Sequence, residues 1–447
     1  MPRLETARTY GRWLTKHAAG RALLRLRARR GELLPLLLVD DAVAADPSPT
    51  LDAIRDAGPL HRGVLLASTA RHDAANAILR SEDFGVAGGH GELPMGGRRL
   101  MELLSKETPA GPLDPPSLLA IDPPDHARIR RQVSRAFTAR AVARLSERVD
   151  EVADRLLDEL ARRSGPVDLI DDYAAWLPLA VIADVLGIEE RDHARLLDLG
   201  NRAAVLLDPG LSWAVFSDAE DAVHDLHSWF DGHLEQLRRN PGDDILSSLV
   251  SSTDTDNLDH EELRTLALLL LGAGFETTVN LIGNAVALLD AHPDQRDALI
   301  ADPSGWANAV EEVLRFDPPV QSTLRQAYVD TEVCGEKVAA GQGVVVILAG
   351  ANRDPAVFTD PHRFDSTRAN ADAHLSFSSG IHFCMGSGLA RLEAQVALRK
   401  LYERFPDLTV SGGGRRRSTR ILRGYETLPV ALAQCDLSAA ISAETAR

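Results

Sequence analysis

The chain has 447 residues, 45% of them apolar and 26% charged, with a formal charge of −16. That composition can bury a large core and excludes disorder over most of the length. The acidic balance argues against bulk attraction to nucleic acid or anionic lipid, and a solvated, cytoplasmic protein is expected.

In chain order, residues 1–44 form a basic extension carrying Arg3, Arg8, Arg12, Lys16, Arg21, Arg25, Arg27, Arg29 and Arg30. It reads as a solvated surface helix or a partly ordered arm, without the apolar core and small-residue cleavage site of a targeting signal. Leu33 to Val39 is the longest apolar run near the start; Pro35 interrupts it and it is far short of a membrane span. Residues 45–447 are expected to form one domain, since no stretch has the length and composition of a linker.

Gly85 to Pro116, with five Pro and seven Gly, reads as a long functional loop. After Asp122-Pro123-Pro124 a helix opens in which His126 and Arg130 share a face at i, i+4. Two cationic donors so spaced suit carboxylates. Val142, Leu145, Val149, Val152, Leu156, Leu157 and Leu160 recur at helical spacing, and similar patterns run over Ala174–Leu186, Asp218–Leu237, Glu261–Leu289, Trp306–Arg315 and Gly388–Arg404. Short strands are expected at Leu60–Leu66, Arg325–Val329, Glu332–Val333, Val344–Leu348, Asp407–Val410 and Thr427–Leu432. The fold class is mainly α with a minor β region.

Three motifs lie between residues 273 and 391. Ala273-Gly274-Phe275-Glu276-Thr277-Thr278 sets an acid and hydroxyls inside an apolar helix, where burial is costly without a partner. Glu312 and Arg315, at i, i+3, can pair on one face before Asp317-Pro318-Pro319 ends their helix. Phe377 to Arg391 reads FSSGIHFCMGSGLAR, with Gly380 and Gly386 flanking Cys384 just before a helix. A thiolate there faces free N–H groups and the positive end of the dipole, which lowers its pKa and favours metal ligation. Cys334, Cys384 and Cys435 are too far apart and too few for a disulfide framework, in keeping with a reducing cytoplasm.

The Cys384 segment resembles the haem-binding loop of the cytochrome P450 family. Phe377, Gly380, His382, Cys384, Gly386, Ala390 and Arg391 match the pattern, while Ser378 stands where the family usually has Gly. The resemblance runs from about residue 45 onward and implies the family's fold in a single compact domain, with haem b ligated through iron by Cys384. It implies that His126, Arg130, Arg325 and His382 contact the propionates. Ala273 and Gly274 would leave room for dioxygen and substrate, which Thr277 and Glu276 would serve by hydrogen bonding and proton relay. Glu312, Arg315 and Arg363 would form a structural network near the haem.

The chemistry so implied is NADPH-driven insertion of one oxygen atom into a medium-sized organic substrate, in secondary metabolism. No segment resembles a flavin or iron–sulfur domain, so a ferredoxin and ferredoxin reductase would supply electrons. Arg131, Arg135, Arg399 and Lys400 are candidate docking contacts. A monomer is expected. The pocket would draw on residues 85–119, 201–216, 270–277, 320–323 and 423–427, with Arg423, Tyr425 and Glu426 as polar handles. Two other readings stand beside this one: oxidative radical coupling without oxygen insertion, and a non-catalytic haem- or ligand-binding protein.

Overall fold

The computed structural model describes residues 2–64, 66–86, 110–252 and 258–432, with side chains from residue 8 onward. Most of the expected Gly85–Pro116 loop (87–109) and Cys435 lie outside the described residues.

The helices of seven or more residues are α1 Pro2–Trp13, α2 Ala19–Ala28, α3 Leu33–Val39, α4 Ser48–Asp56, α5 His72–Arg80, α6 Asp125–Ser134, α7 Ala139–Ala161, α8 Trp176–Val185, α9 Glu190–Ala204, α10 Trp213–Arg239, α11 His260–Ala291, α12 Pro293–Ala301, α13 Trp306–Phe316 and α14 Ser387–Arg404. The apolar stripe of α7 is buried as its spacing requires: Val142, Val149, Val152, Leu156, Leu157 and Leu160 all lie inside. Thr138 caps its first turn by accepting from Ala141 N at 3.3 Å.

Helix α11 is the axis of the molecule. Its length and hydropathy would suffice to cross a membrane, yet most of it is buried in protein. Helices α8, α9, α10, α13 and α14 all touch it. A capping box starts it: Asp259 accepts from Glu262 N at 2.8 Å, and Glu262 accepts from Asp259 N at 3.0 Å. Being apolar on nearly every face, it can be stable only at the centre.

The strands are β1 His61–Arg62, β2 Ala67–Thr69, β3 Phe84–Gly85, β4 Val167–Asp168, β5 Thr323–Ala327, β6 Thr331–Val333, β7 Glu336–Val338, β8 Gly343–Val346, β9 Thr409–Val410, β10 Arg415–Arg416, β11 Tyr425–Thr427 and β12 Pro429–Ala431. They form a sheet of order β1-β2-β8-β5-β3, a three-stranded sheet β4-β12-β9, and the hairpins β6-β7 and β10-β11. Among the described residues only β2 and β8 pair in parallel. The large sheet has its own buried cluster, including Leu60, Ile78, Phe84, Val344 and Val346, apart from the larger helical core.

The basic N-terminal residues are helical and seated on the rest of the chain. Trp13 Nε1 donates to Leu211 O at 2.9 Å, and Leu211 N donates to His17 Nδ1 at 3.3 Å. Tyr10, Trp13 and Trp213 form an aromatic cluster with centroids 5.1–5.9 Å apart, and Arg12 pairs with Glu220.

Candidate active site

The Cys384 loop is built by contacts on both sides of the sulphur. Cys384 N donates to Phe377 O at 2.9 Å, closing the loop onto its own start. Phe377 lies under the Arg391 guanidinium at 4.5 Å, and Arg391 binds Glu311 through two bonds of 2.5 and 2.9 Å. Glu311 also meets His374 Nε2 at 3.0 Å. Burial opposes its charge, but His374 and Arg391 outweigh that and hold its carboxyl down at about 2.

Gly380 is required by the protein itself. Its φ is +69°, and a Cβ there would strike the Leu79 carbonyl. Ser378, the departure from the family pattern, adopts φ +63°, the left-handed region that glycine occupies freely. Its Oγ is buried with no hydrogen-bond partner among the described residues. Serine is therefore tolerated here at a cost in strain, and the loop keeps its shape.

Cys384 is exposed on one side and otherwise enclosed by protein. Contrary to the expectation from the helix N-terminus alone, burial pushes its thiol above the ordinary value. The Gly386 N–H, Arg130 and Arg391 pull the other way without prevailing. Sequence shows the dipole; only the fold shows the desolvation.

A cluster of basic side chains gathers beside the loop. His126 is buried, and its ring lies 4.3 Å from that of His382. Burial first, then His382 and Arg130, hold its pKa down at about 4. Arg130 donates to Phe383 O at 2.6 Å, tying α6 to the cysteine loop. Arg325 is buried and, among the described residues, donates to the neutral oxygens Thr323 Oγ1 and Leu324 O, both at 2.9 Å. Asp122 is the one acid shown against this group, 3.3 Å from His382 Nε2 and bonded to Tyr328. Burial works against its charge, but His382 and Tyr328 keep its carboxyl below the usual range. Four basic side chains around one carboxylate leave room for further negative charge. A thiol open on one side, next to such a cluster, fits a flat, iron-bearing group with two carboxylates.

Across the core, α11 opens where the sequence placed its motif. Ala273 is exposed and Thr277 half-buried, although Phe275, Glu276 and Thr278 are buried. Gly274 has no room for a Cβ against Ile182, so it serves close packing with α8. Thr277 Oγ1 donates to Ala273 O at 2.9 Å. Thr278 faces Glu393 of α14, which places this turn of α11 against the cysteine helix. Glu276 is 2% exposed; burial pushes its carboxyl up, with Arg417 and Asn280 pulling it down. Its Oε1 lies 3.3 Å from Arg417 Nε and 3.4 Å from Asn280 Nδ2, while Oε2 has no hydrogen-bond partner among the described residues.

The structural network is present with one member changed. Glu312 and Arg315 pair through bonds of 2.6 and 2.7 Å, both fully buried. The third member is Arg368, whose Nε lies 3.2 and 3.1 Å from the two Glu312 oxygens. Arg363 is exposed and contributes only its carbonyl, to Arg315 and Arg368. The two arginines are five residues apart in one irregular segment, so spacing could not decide which turns inward.

Other expectations shift in the same way. Arg423 is engaged by Asp317 at 2.9 Å and Ala44 O at 2.7 Å, which makes it a structural tie rather than a polar handle. Arg399 and Lys400 pair with Asp150, Asp154 and Glu403. Sequence reasoning missed Arg368, Arg417, Asn280 and Glu393. The i, i+4, i+8 run of Glu276, Asn280 and Asn284 in an apolar helix was the available signal.

The sequence profile described as Cytochrome P450 matches residues 307–420. The chain is 46% identical to the putative cytochrome P450 140 of Mycobacterium tuberculosis over 94% of its own length and 97% of that protein. The chain belongs to the cytochrome P450 family. It is similar to the vitamin D(3) 25-hydroxylase of Pseudonocardia autotrophica, at 42% identity over 73% of this P450 and 80% of the relative. Among solved structures, CYP164A2 of Mycobacterium smegmatis superposes with a TM-score of 0.80 at 36% identity, covering 89% of this chain and 99% of that one. The P450 fold, the haem-thiolate cofactor and monooxygenase class follow from membership of this family.

Proposed function

We propose that this P450 inserts one atom of dioxygen into a medium-sized, mainly apolar secondary metabolite. The observation that carries the reading is the Glu276–Thr277 pair, set where the buried α11 opens beside the cysteine helix. A similar chain that hydroxylates vitamin D3 supports the substrate class.

Cys384 would hold the iron, and His126, Arg130, Arg325 and His382 would bind the propionates. Phe377 seats the loop through Arg391. The haem supplies the activation of dioxygen when electrons reach it. Thr277 presents its hydroxyl at the opening; its proton rests on Ala273 O at 2.9 Å and turns from there to the oxygen substrate. Glu276, with one carboxylate oxygen uncommitted, replenishes that proton. Ala273, exposed where α11 opens, keeps that wall low, while Gly274 lets α11 pack closely on α8. Electrons come from NADPH through a separate reductase and ferredoxin in the cytoplasm, the ferredoxin docking near Arg131, Arg135, Arg399 and Lys400. Charge reversal across Arg131, Arg135, Arg399 and Lys400 is the change expected to slow reduction.

The carbon monoxide difference spectrum of the reduced protein, beside Cys384→Ser, tests the cofactor assignment. The thiolate band should be present in the wild type and lost in the variant. Turnover under isotopically heavy dioxygen then tests the reaction. The product should carry one heavy oxygen, whereas radical coupling would remove two hydrogens and add none. A protein that holds haem but never consumes NADPH would be a binding module, and the proposal would fail.

A further inference from the structure

The three polar residues Glu276, Asn280 and Asn284 make one stripe along α11, and the hairpin β10-β11 lies across it. Gly424 sits so close that the Asn280 amide occupies the place a Cβ would need. Two hairpin arginines are fully committed. Arg416 binds Asn284 Oδ1 at 2.7 Å and Asp317 at 2.9 Å; Arg423 binds the other oxygen of Asp317 at 2.9 Å. Asn284 Nδ2 answers by donating to Asp317 O at 3.0 Å and Arg423 O at 3.1 Å. The hairpin is therefore pinned at both flanks.

Arg417, between those flanks, is not committed in the same way. Its Nε stands 3.3 Å from Glu276 Oε1 without the alignment of a hydrogen bond, and its Nη2 reaches Asn201 Oδ1 of α9 at only 3.4 Å. Its side chain is 17% exposed against 3% for Glu276, so it forms the outer member of the pair. Beyond it lies a second anionic choice. Asp171 is exposed and feels Arg417, with Asp168, Asp172 and Glu426 close by. Asp168 and Asp172 are held by backbone N–H groups and Arg163, and Glu426 by Arg415. Asp171 is thus the available acceptor.

We propose that Arg417 is the positioning residue for Glu276, and that by shifting between Glu276 and Asp171 it couples helix α9 to the supply of protons at Thr277. The proposal rests on the reading of Glu276 as the proton source. With Arg417 on Glu276 the carboxylate is held as an ion pair and turned toward Asn280. With Arg417 on Asp171 the carboxylate is released to take a proton from the outer side. Asn201 makes that choice sensitive to α9, whose Gly200 packs on Phe275 next to Glu276.

The test compares Arg417→Met, Arg417→Lys and Glu276→Gln as haem-loaded proteins. The readouts are steady-state kinetics, product formed per NADPH, and the infrared carboxyl band of protonated Glu276, assigned by its loss in Glu276→Gln. Arg417→Met should lower kcat at least fivefold with KM within twofold, and carry the protonated band to higher pH. Arg417→Lys should recover most of both. Wild-type kcat and an unmoved band in Arg417→Met overturn the proposal, as does a loss of rate that Lys fails to rescue while the band stays put. If Glu276→Gln is itself fully active, the reading of Glu276 falls. If it is slow while Arg417→Met is normal, only the role of Arg417 falls. Should Arg417→Met not fold, Asp171→Asn carries the test. Without its outer acceptor Arg417 should stay on Glu276 and move the band to lower pH, and an unmoved band overturns the proposal.

Discussion

Two buried glutamates, Glu312 and Glu276, lie in the same helical core with opposite provisioning. Glu312 is 0% exposed, and both its oxygens are filled by Arg315 and Arg368, with Asp365 N adding a bond of 2.9 Å. Glu276 is 2% exposed, has one cation at 3.3 Å outside hydrogen-bond alignment and one amide contact at 3.4 Å, and its other oxygen has no partner among the described residues. Taking a carboxylate out of water costs several kcal/mol, and only a full set of partners offsets it. The first acid holds segments 306–316 and 359–368 together. The second has its carboxyl pushed up by burial, with Arg417 and Asn280 only partly offsetting it.

The largest test of this contrast is Glu312→Gln. Removing one partner of a saturated buried pair should cost about 3–5 kcal/mol in denaturant unfolding, leaving two arginines uncompensated. Retained stability would break the comparison. Next comes the pair Arg368→Ala and Arg363→Ala. The first should cost about 3 kcal/mol or more, and the second should stay within about 0.5 kcal/mol, as for an ordinary surface change. Equal losses would restore Arg363 to the network.

Glu276→Gln should do the reverse of Glu312→Gln. We expect kcat to fall about 100-fold, the lower end of what a positioned acid contributes, with stability kept or raised. The pH dependence follows from the raised carboxyl. The folded state holds the proton more tightly than the unfolded chain, so stability is full below the ordinary glutamate value of 4.5 and falls as pH rises through the folded value. Glu276→Gln should flatten that part of the stability–pH curve, and a curve identical to wild type would contradict the assignment. The smallest effect is expected at Ser378→Gly. Relief of the left-handed serine should outweigh the extra freedom of glycine by about 0.5–1 kcal/mol in thermal unfolding, with the thiolate spectrum unchanged.

Much of the fold was legible because helices are local. The stripes of α7 and α13 follow from 3.6-residue spacing and α11 from its long apolar run, and their ends from Thr138, Asp259 and Asp317-Pro318. The strands were harder. β7 went unseen because its hairpin turns on Cys334-Gly335, both at positive φ, where a cysteine is an unusual turn residue. β3 and β4 are two residues long and exist only by pairing with distant partners, and β10 is as short and held only by the next strand, β11.

Where site residues are neighbours in sequence, the sequence places them together. Phe377 to Arg391 encloses a thiol between its own backbone bonds, and Glu276 and Thr277 share one helical turn, so their types and offsets fix the arrangement. What only the tertiary structure decided is which distant charge meets each acid: Arg368 rather than Arg363 at Glu312, Arg417 at Glu276, and desolvation rather than the helix dipole at Cys384. The energies of those groups are set by burial and by residues 56 to 254 positions away, and chain spacing carries no record of either.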